Sequence, residues 1–261
     1  MADDELEAAL DAASDAGLQV IVTVGMDVAM SARGVTVSES ADMVFAAVGV
    51  HPWMAQDHPD GAPVDELETL AMNDKVVALG EIGLDFVDNS WRGISYRDDE
   101  LRRHQEIVFR EQLRLARRLG LPVILHSRGA HGATTRILEE EGAGAVGGCV
   151  QFFEGTVEDV RAYLSLNFGF SLGSSVTYPD TGGWYDVVRA IPASALLLET
   201  DAPWLPFCGN PSDRGSPADL VVIGDAVAEV RGEDPAALFA YTARNARRVF
   251  PGVRTGTWPA G

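Results

Sequence analysis

The sequence predicts an α/β fold of the (β/α)8 barrel type, short of its first strand. Three observations carry that prediction. Short apolar runs alternate with amphipathic stretches along the chain, the pattern of a parallel sheet flanked by helices. The length, 261 residues, suits one large barrel domain. Three of the apolar runs also end in side chains able to hold a metal ion: Glu81, His126 and Asp201. Strands of such a barrel deliver their functional residues to one rim, at their C-terminal ends.

The elements follow in order. Residues 6–16 form an amphipathic helix stopped by Gly17. Residues 19–24 are a β-branched run and the first visible strand. Residues 43–50 are a second, ending in Gly49-Val50-His51-Pro52-Trp53. The third runs over 76–84 and contains Leu79-Gly80-Glu81-Ile82-Gly83-Leu84-Asp85 at its end. Residues 99–119 are a long helix, with Gly120 as its C-cap. Strands follow at 122–126, at 145–153 (glycine-rich at Gly147-Gly148), at 168–172 and at 195–199. Helical stretches separate most of them, including 134–141 and 156–164, where Thr156 can serve as N-cap. A Pro-, Gly- and Ser-rich loop at 203–217 leads to helices at 218–231 and 235–249. Neither repeats nor an interdomain linker interrupts this series. The chain therefore reads as one domain over 1–261, with 251–261 a frayed tail. Seven strands are visible where a closed barrel has eight, and the series opens with a helix, so the missing strand is the first.

A carboxylate at the end of a buried strand is costly unless a positive group meets it. For Glu81, flanked by two glycines, a metal ion is the simplest partner, and its two oxygens can bridge two ions. The alternative is an N-cap or ion-pair acid at a turn. His126 ends a strand in Leu125-His126-Ser127-Arg128, and imidazole is the commonest metal ligand; a hydrogen-bonded core histidine is the alternative. Asp201 follows the apolar run 196–198, and its alternative is a turn cap. Jointly the three are more telling than any one, because all fall at the same end of their strands. His51 can touch substrate at the same rim or simply be fixed in a turn by Pro52. Arg128 can grip a phosphate bidentately or pair with a surface acid. Gln151 is a weaker candidate, an amide oxygen ligand at most. His58, His104 and His131 receive no role, and Cys208 is read as a bystander thiol.

Net charge is −19, from 39 acids against 20 bases. That excludes a protein that binds nucleic acid through a broad basic face, but not an enzyme that meets phosphate through metal ions. Lys75 is the single lysine; an acidic, arginine-over-lysine composition suits a salt-rich cytoplasm or a GC-rich genome. Cys149 and Cys208 form neither a disulfide framework nor a Cys-x-x-Cys metal motif. The acidic start, Met1-Ala2-Asp3-Asp4-Glu5, lacks the basic region of a signal peptide. No apolar run reaches the roughly 18–20 residues of a membrane span. A cytoplasmic, monomeric protein is expected.

At these residues the chain resembles the TatD family of metal-dependent hydrolases, many of which are deoxyribonucleases. The matching stretches are Gly49-Val50-His51-Pro52, Gly80-Glu81-Ile82-Gly83-Leu84-Asp85, then Gln105, Phe109, Gln112-Leu113 and Leu115-Ala116. Leu121 through Arg128, Glu199-Thr200-Asp201-Ala202-Pro203-Trp204-Leu205, and Asn245-Ala246 with Phe250 complete the set. The resemblance implies a TIM barrel and metal-dependent hydrolysis, typically of phosphodiesters in DNA, by 3′–5′ exonuclease-like action or on a small phosphoester. It implies that Glu81 bridges the metals, His126 binds one and Asp201 the other, and that Asp201 orients or deprotonates the attacking water. Two departures stand out. The family's opening Asp-x-His-x-His strand has no counterpart here, as expected of a start set too late or of a shortened gene. Gln151-Phe152-Phe153-Glu154-Gly155 also stands where the family has His-Cys-Phe-Ser-Gly. A milder one lies at Arg214-Gly215-Ser216-Pro217. Catalytic metal sites hold about three protein ligands, and magnesium accepts fewer because it keeps waters. One or two ions per chain, Mg²⁺ or Mn²⁺ in preference to Zn²⁺, are therefore expected. The alternatives are an impaired relative with a binding or regulatory role and a metal-dependent amidase or esterase on the same scaffold.

Overall fold

The computed structural model describes residues 3–88, 95, 98–180, 182–210, 212 and 214–253. Seven strands occur among them, in chain order and alternating with helices. This is the expected (β/α) barrel class, with one strand fewer than a closed barrel. The chain forms two compact units: Val22–Val150 with Ser165–Phe168 and Val249–Gly261, and Met1–Ile21 with Gln151–Leu164 and Gly169–Arg248.

The first of these units carries β1 (Ile21–Val24, from its second residue), β2 (Val44–Val48), β3 (Val76–Asp85), β4 (Val123–Arg128) and β5 (Gly148–Val150). β2 through β5 pair in parallel with their neighbours. All five residues of β2 and all ten of β3 are buried, which explains why β2 reads as an unbroken apolar run and β3 as one interrupted only by glycines and the acids Glu81 and Asp85. The helices here are α2 (Val28–Ser40), α3 (Val64–Ala71), α4 (Asp99–Leu119) and α5 (His131–Glu140). α4 has the bounds that its sequence predicts. Asp98 caps it by accepting from Glu100 N at 2.8 Å, acids fill its first turn, and Arg117 and Arg118 its last. Gly120 ends it at φ 69°, a conformation that costs glycine little. Its inner face buries Phe109, Leu113 and Leu115 completely, each worth about 1.5–3 kcal/mol of transfer free energy.

The second unit carries α1 (Asp3–Asp15), α6 (Val157–Ser165, to Leu164), β6 (Phe168–Leu172, from Gly169), β7 (Leu196–Leu198), α7 (Trp184–Ala190), α8 (Leu220–Arg231) and α9 (Pro235–Val249). β6 and β7 are parallel. Phe153 packs on Phe170 with centroids 4.7 Å apart, and Tyr163 completes an aromatic core at 6.2 Å from each. Thr156 caps α6 as expected: its hydroxyl accepts from Asp159 N while Asp159 accepts from Thr156 N. Asn245 of α9 donates to Ala193 O and Leu196 O, tying the helix to the start of β7.

Several boundaries differ from expectation for local reasons. The fifth strand is three residues long, not nine, because Ala143–Ala145 is a 3-10 turn, Gly147 is left-handed at φ 63° and Phe152 adopts φ 42°. The fourth strand continues through Ser127 to Arg128. α2 does not announce itself in sequence, since Gly34 and its β-branched neighbours are poor helix formers; Asp27 nucleates it by accepting from Met30 N at 2.7 Å. Of the tail expected from residue 251, residues 254–261 lie outside the described residues, and Pro251 and Gly252 form a turn. No helix among the described residues is long and apolar enough to cross a membrane. Neither Cys149, which is buried, nor Cys208, which is exposed, is in a disulfide.

Candidate metal centre

Three elements deliver the site in the Val22–Val150 unit. The segment after β2 brings His51. Its path is clamped on both sides: Ser31 of α2 bonds both backbone groups of Gly49, and Gln112 of α4 accepts from Val50 N at 2.7 Å and donates to Val50 O at 3.0 Å. β3 brings Glu81 and Asp85. β4 brings His126 and Arg128. The glycines of β3 permit this convergence. Gly83 sits opposite His126 in the register at φ 144°, and a Cβ there would lie 2.0 Å from the His126 carbonyl oxygen. A Cβ on Gly80 would lie 2.6 Å from the Ile124 side chain.

His126 lies between two carboxylates. Its Nδ1 is 3.0 Å from Glu81 Oε1 and its Nε2 is 2.9 Å from Asp85 Oδ2. Burial opposes the imidazolium, but hydrogen bonds and charge from Asp85 and Glu81 outweigh it and push the pKa up to about 9. Asp85 is wholly buried. Its Oδ2 also accepts from Trp53 Nε1 at 2.7 Å and Arg128 Nε at 2.9 Å, and its Oδ1 from Val87 N at 3.0 Å. Burial alone would raise this carboxyl, yet the His126 bond and charge, the Val87 N–H and the Arg128 guanidinium hold it below its ordinary value. Gln105 of α4 accepts from Asp85 N at 2.9 Å.

His51 is nearly fully buried, its ring 4.3 Å from that of His126 and its Nε2 3.9 Å from Glu81 Oε1. Burial first, and then the charges of His126 and Arg128, hold its pKa well below the usual imidazole value, so it is neutral. Its Nδ1 accepts from Trp53 N at 3.1 Å. A backbone N–H can only donate, so the neutral ring carries its proton on Nε2. The ligand atoms of His51, Glu81 and His126 lie within 4.8 Å of one another, but a protonated Nε2 is a hydrogen-bond donor, not a metal ligand. Glu81 Oε1 and His126 Nδ1 fit a divalent ion that displaces the Nδ1 proton of the imidazolium, and His51, held neutral with its proton on Nε2, fits as a donor toward a bound anion.

Arg128 lies over the Trp53 ring at 5.5 Å and is 45% exposed, with its Nε committed to Asp85. So four of the sequence-predicted site residues, His51, Glu81, His126 and Arg128, meet here. Asp201 and Gln151 belong to the other unit. Asp201 follows β7 in a turn in which its carbonyl accepts from Trp204 N at 2.7 Å. Gln151 keeps its Oε1 buried with no hydrogen-bond partner among the described residues, the condition of an oxygen suited to a cation. Phe152 N donates to Glu199 Oε1, which fixes the turn beside Gln151. His104, given no role from sequence, has its Nε2 2.9 Å from Ala55 O and 3.0 Å from His58 O, a structural tie.

Comparison with known proteins supplies the family. The family model described as TatD related DNase matches residues 1–251. The chain belongs to the TatD family. It is 35% identical to the uncharacterized metal-dependent hydrolase YabD of Bacillus subtilis, over 95% of this chain and 93% of that one. It is also 35% identical to the 3′-5′ ssDNA/RNA exonuclease TatD of a Rahnella strain, over 92% and 90%. The crystal structure of the Escherichia coli TatD homologue YjjV matches with a TM-score of 0.85 at 30% identity, over 95% and 92%. The chain is thus a TatD-family metal-dependent hydrolase.

Three contributors were not legible as such. Asp85 stood in the matched motif without a role, and the signal that could have found it was its acidity at a strand end four residues after Glu81. Gln105 and Gln112 were visible as matches, but their backbone partners were not.

Proposed function

We propose that this chain hydrolyses phosphodiester bonds of single-stranded nucleic acid, from the 3′ end, with Mg²⁺ or Mn²⁺. The observation that carries this reading is Glu81 Oε1 beside His126 Nδ1, two ligand atoms of opposite chemistry on adjacent strands with a buried carboxylate behind the imidazole. TatD exonucleases 33–36% identical to the chain support the substrate class. A bound divalent ion supplies Lewis acidity and an acidified water. The chain's own residues do the rest. Glu81 and His126 hold the ion. His51 presents Nε2–H to a phosphate oxygen, and Arg128 offers its terminal nitrogens to another. By resemblance to the family's Glu-Thr-Asp-Ala-Pro stretch, Asp201 would hold a metal ion and orient or deprotonate water, and Gln151, which stands where the family has histidine, would offer its buried Oε1 as a weaker ligand.

With a net charge of −19, substrate contact is local. Counterion release then corresponds to one or two phosphates, not the 6–10 of a basic groove, so binding weakens only about tenfold or less between 50 and 200 mM salt. End-labelled single-stranded DNA and RNA with Mg²⁺ or Mn²⁺ test the reading, with bis(p-nitrophenyl) phosphate as a base-free substrate. Cleavage that Glu81→Gln abolishes is expected. A wild-type chain that takes up Mn²⁺ and cleaves none of the three substrates would refute it.

A further inference from the structure

A histidine binds a metal through one nitrogen and needs a proton on the other. At His126 both nitrogens face a carboxylate, so which one keeps the proton decides whether the ring is a ligand at all. Glu81, on the Nδ1 side, would hold the ion together with that nitrogen, and a proton left on Nδ1 would stand in the way. Asp85, on the Nε2 side, is a different kind of carboxylate. It is wholly buried, and four donors surround it: His126 Nε2, Trp53 Nε1, Arg128 Nε and Val87 N, at 2.7 to 3.0 Å. Three N–H groups converge on its Oδ2 and one on its Oδ1, so the oxygen that faces His126 is already committed to donors. Gln105 pins its backbone.

We infer that Asp85 is the positioning residue of this centre: it keeps the His126 proton on Nε2 and so leaves the Nδ1 lone pair for the metal. The inference rests on the metal-site part of the proposed function and deepens it. The same carboxylate couples the site to substrate recognition, because the Arg128 that would meet a phosphate is moored to Asp85 Oδ2. A neutral amide at this position is a weaker acceptor than a carboxylate. In Asp85→Asn the anionic Glu81 becomes the stronger acceptor, and the neutral ring takes its proton on Nδ1, where it blocks the ion.

The test is calorimetric titration of the metal-free full chain with Mn²⁺, together with ¹⁵N shifts of the His126 ring. Asp85→Asn is expected to weaken Mn²⁺ binding about 10- to 100-fold and to show a protonated Nδ1. Trp53→Phe removes one donor from Oδ2 while keeping an aromatic ring beside His126, and its Mn²⁺ affinity should stay within about threefold of wild type. Unchanged affinity in folded Asp85→Asn would overturn the inference. So would a protonated Nδ1 in the Mg²⁺-saturated wild type, a measurement that needs no variant. A wild-type chain that takes up no Mn²⁺ would bring down the metal-site reading and the inference with it.

Discussion

Stripped of divalent ions, the chain should lose stability as pH rises above neutrality, because His126 then releases a proton that the fold holds tightly. Its pKa is about 9 in the folded chain against 6.5 for an ordinary histidine. The folded state therefore binds more protons between those values. A folded pKa above the unfolded one means the contribution is complete below about 6.5 and disappears as pH climbs through about 9. Each tenfold change in proton affinity is worth ~1.4 kcal/mol, so the whole contribution is roughly 3 kcal/mol. For a chain of this size that corresponds to roughly 6–12 °C in Tm. Urea unfolding in excess chelator, stepped from pH 7 to 10, reads it directly. His126→Gln is the control, since it keeps a polar side chain and removes the titration. His51 does not confound the window: its folded pKa is lowered, so its contribution runs the other way and lies below neutrality. The wild-type curve should fall toward that of the variant. Parallel curves across the whole range would refute the reasoning.

Two further outcomes follow from the clamps around the site. Gly83→Ala forces a Cβ to within 2.0 Å of the His126 carbonyl at a φ of 144°, and should cost about 3 kcal/mol or more by urea midpoint. Gly120→Ala, where a Cβ meets nothing within 4 Å, should cost only about 1 kcal/mol. Gln112→Leu leaves the buried Val50 N–H and C=O unpaired and should destabilise by about 2–5 kcal/mol, read as a lower Tm with the metal removed.

Much of the fold was written in simple periodicities. β3 and β6 are buried on both faces, so their apolar runs mark them nearly to the residue, and α4 combines a strong amphipathic repeat with conventional caps at both ends. Elements escaped where tertiary packing overrides local preference. α2 is built from valine, threonine, serine and glycine, and is held by Asp27 and by Ser31 buried against Gly49. The fifth strand reads as long because Val146, Val150 and Phe152 are apolar, but Gly147 and Phe152 turn the backbone left-handed on either side of it.

The site divides along the same line. Residues proposed to meet metal or substrate carry distinctive chemistry at strand ends, so Glu81, His126, His51 and Arg128 stand out in the sequence. Residues that act through a hydrogen bond to them do not, because their partners are backbone groups or side chains tens of residues away. Asp85 is 41 residues from His126 and 32 from Trp53; Gln112 is 62 from Val50. The Gly-Glu-Ile-Gly-Leu-Asp segment shows both kinds at once. Glu81 turns its Oε1 to His126 Nδ1, Asp85 gathers three N–H donors on Oδ2 and one on Oδ1, and Gly83 between them lets β4 approach closely enough for one imidazole to touch both. Spacing explains why one strand suffices: residues 81, 83 and 85 share a face, since side chains alternate with period two. A substituent at position 83 would therefore separate the two carboxylates from the histidine they divide, which is why the glycine belongs to the metal centre as much as the acids do.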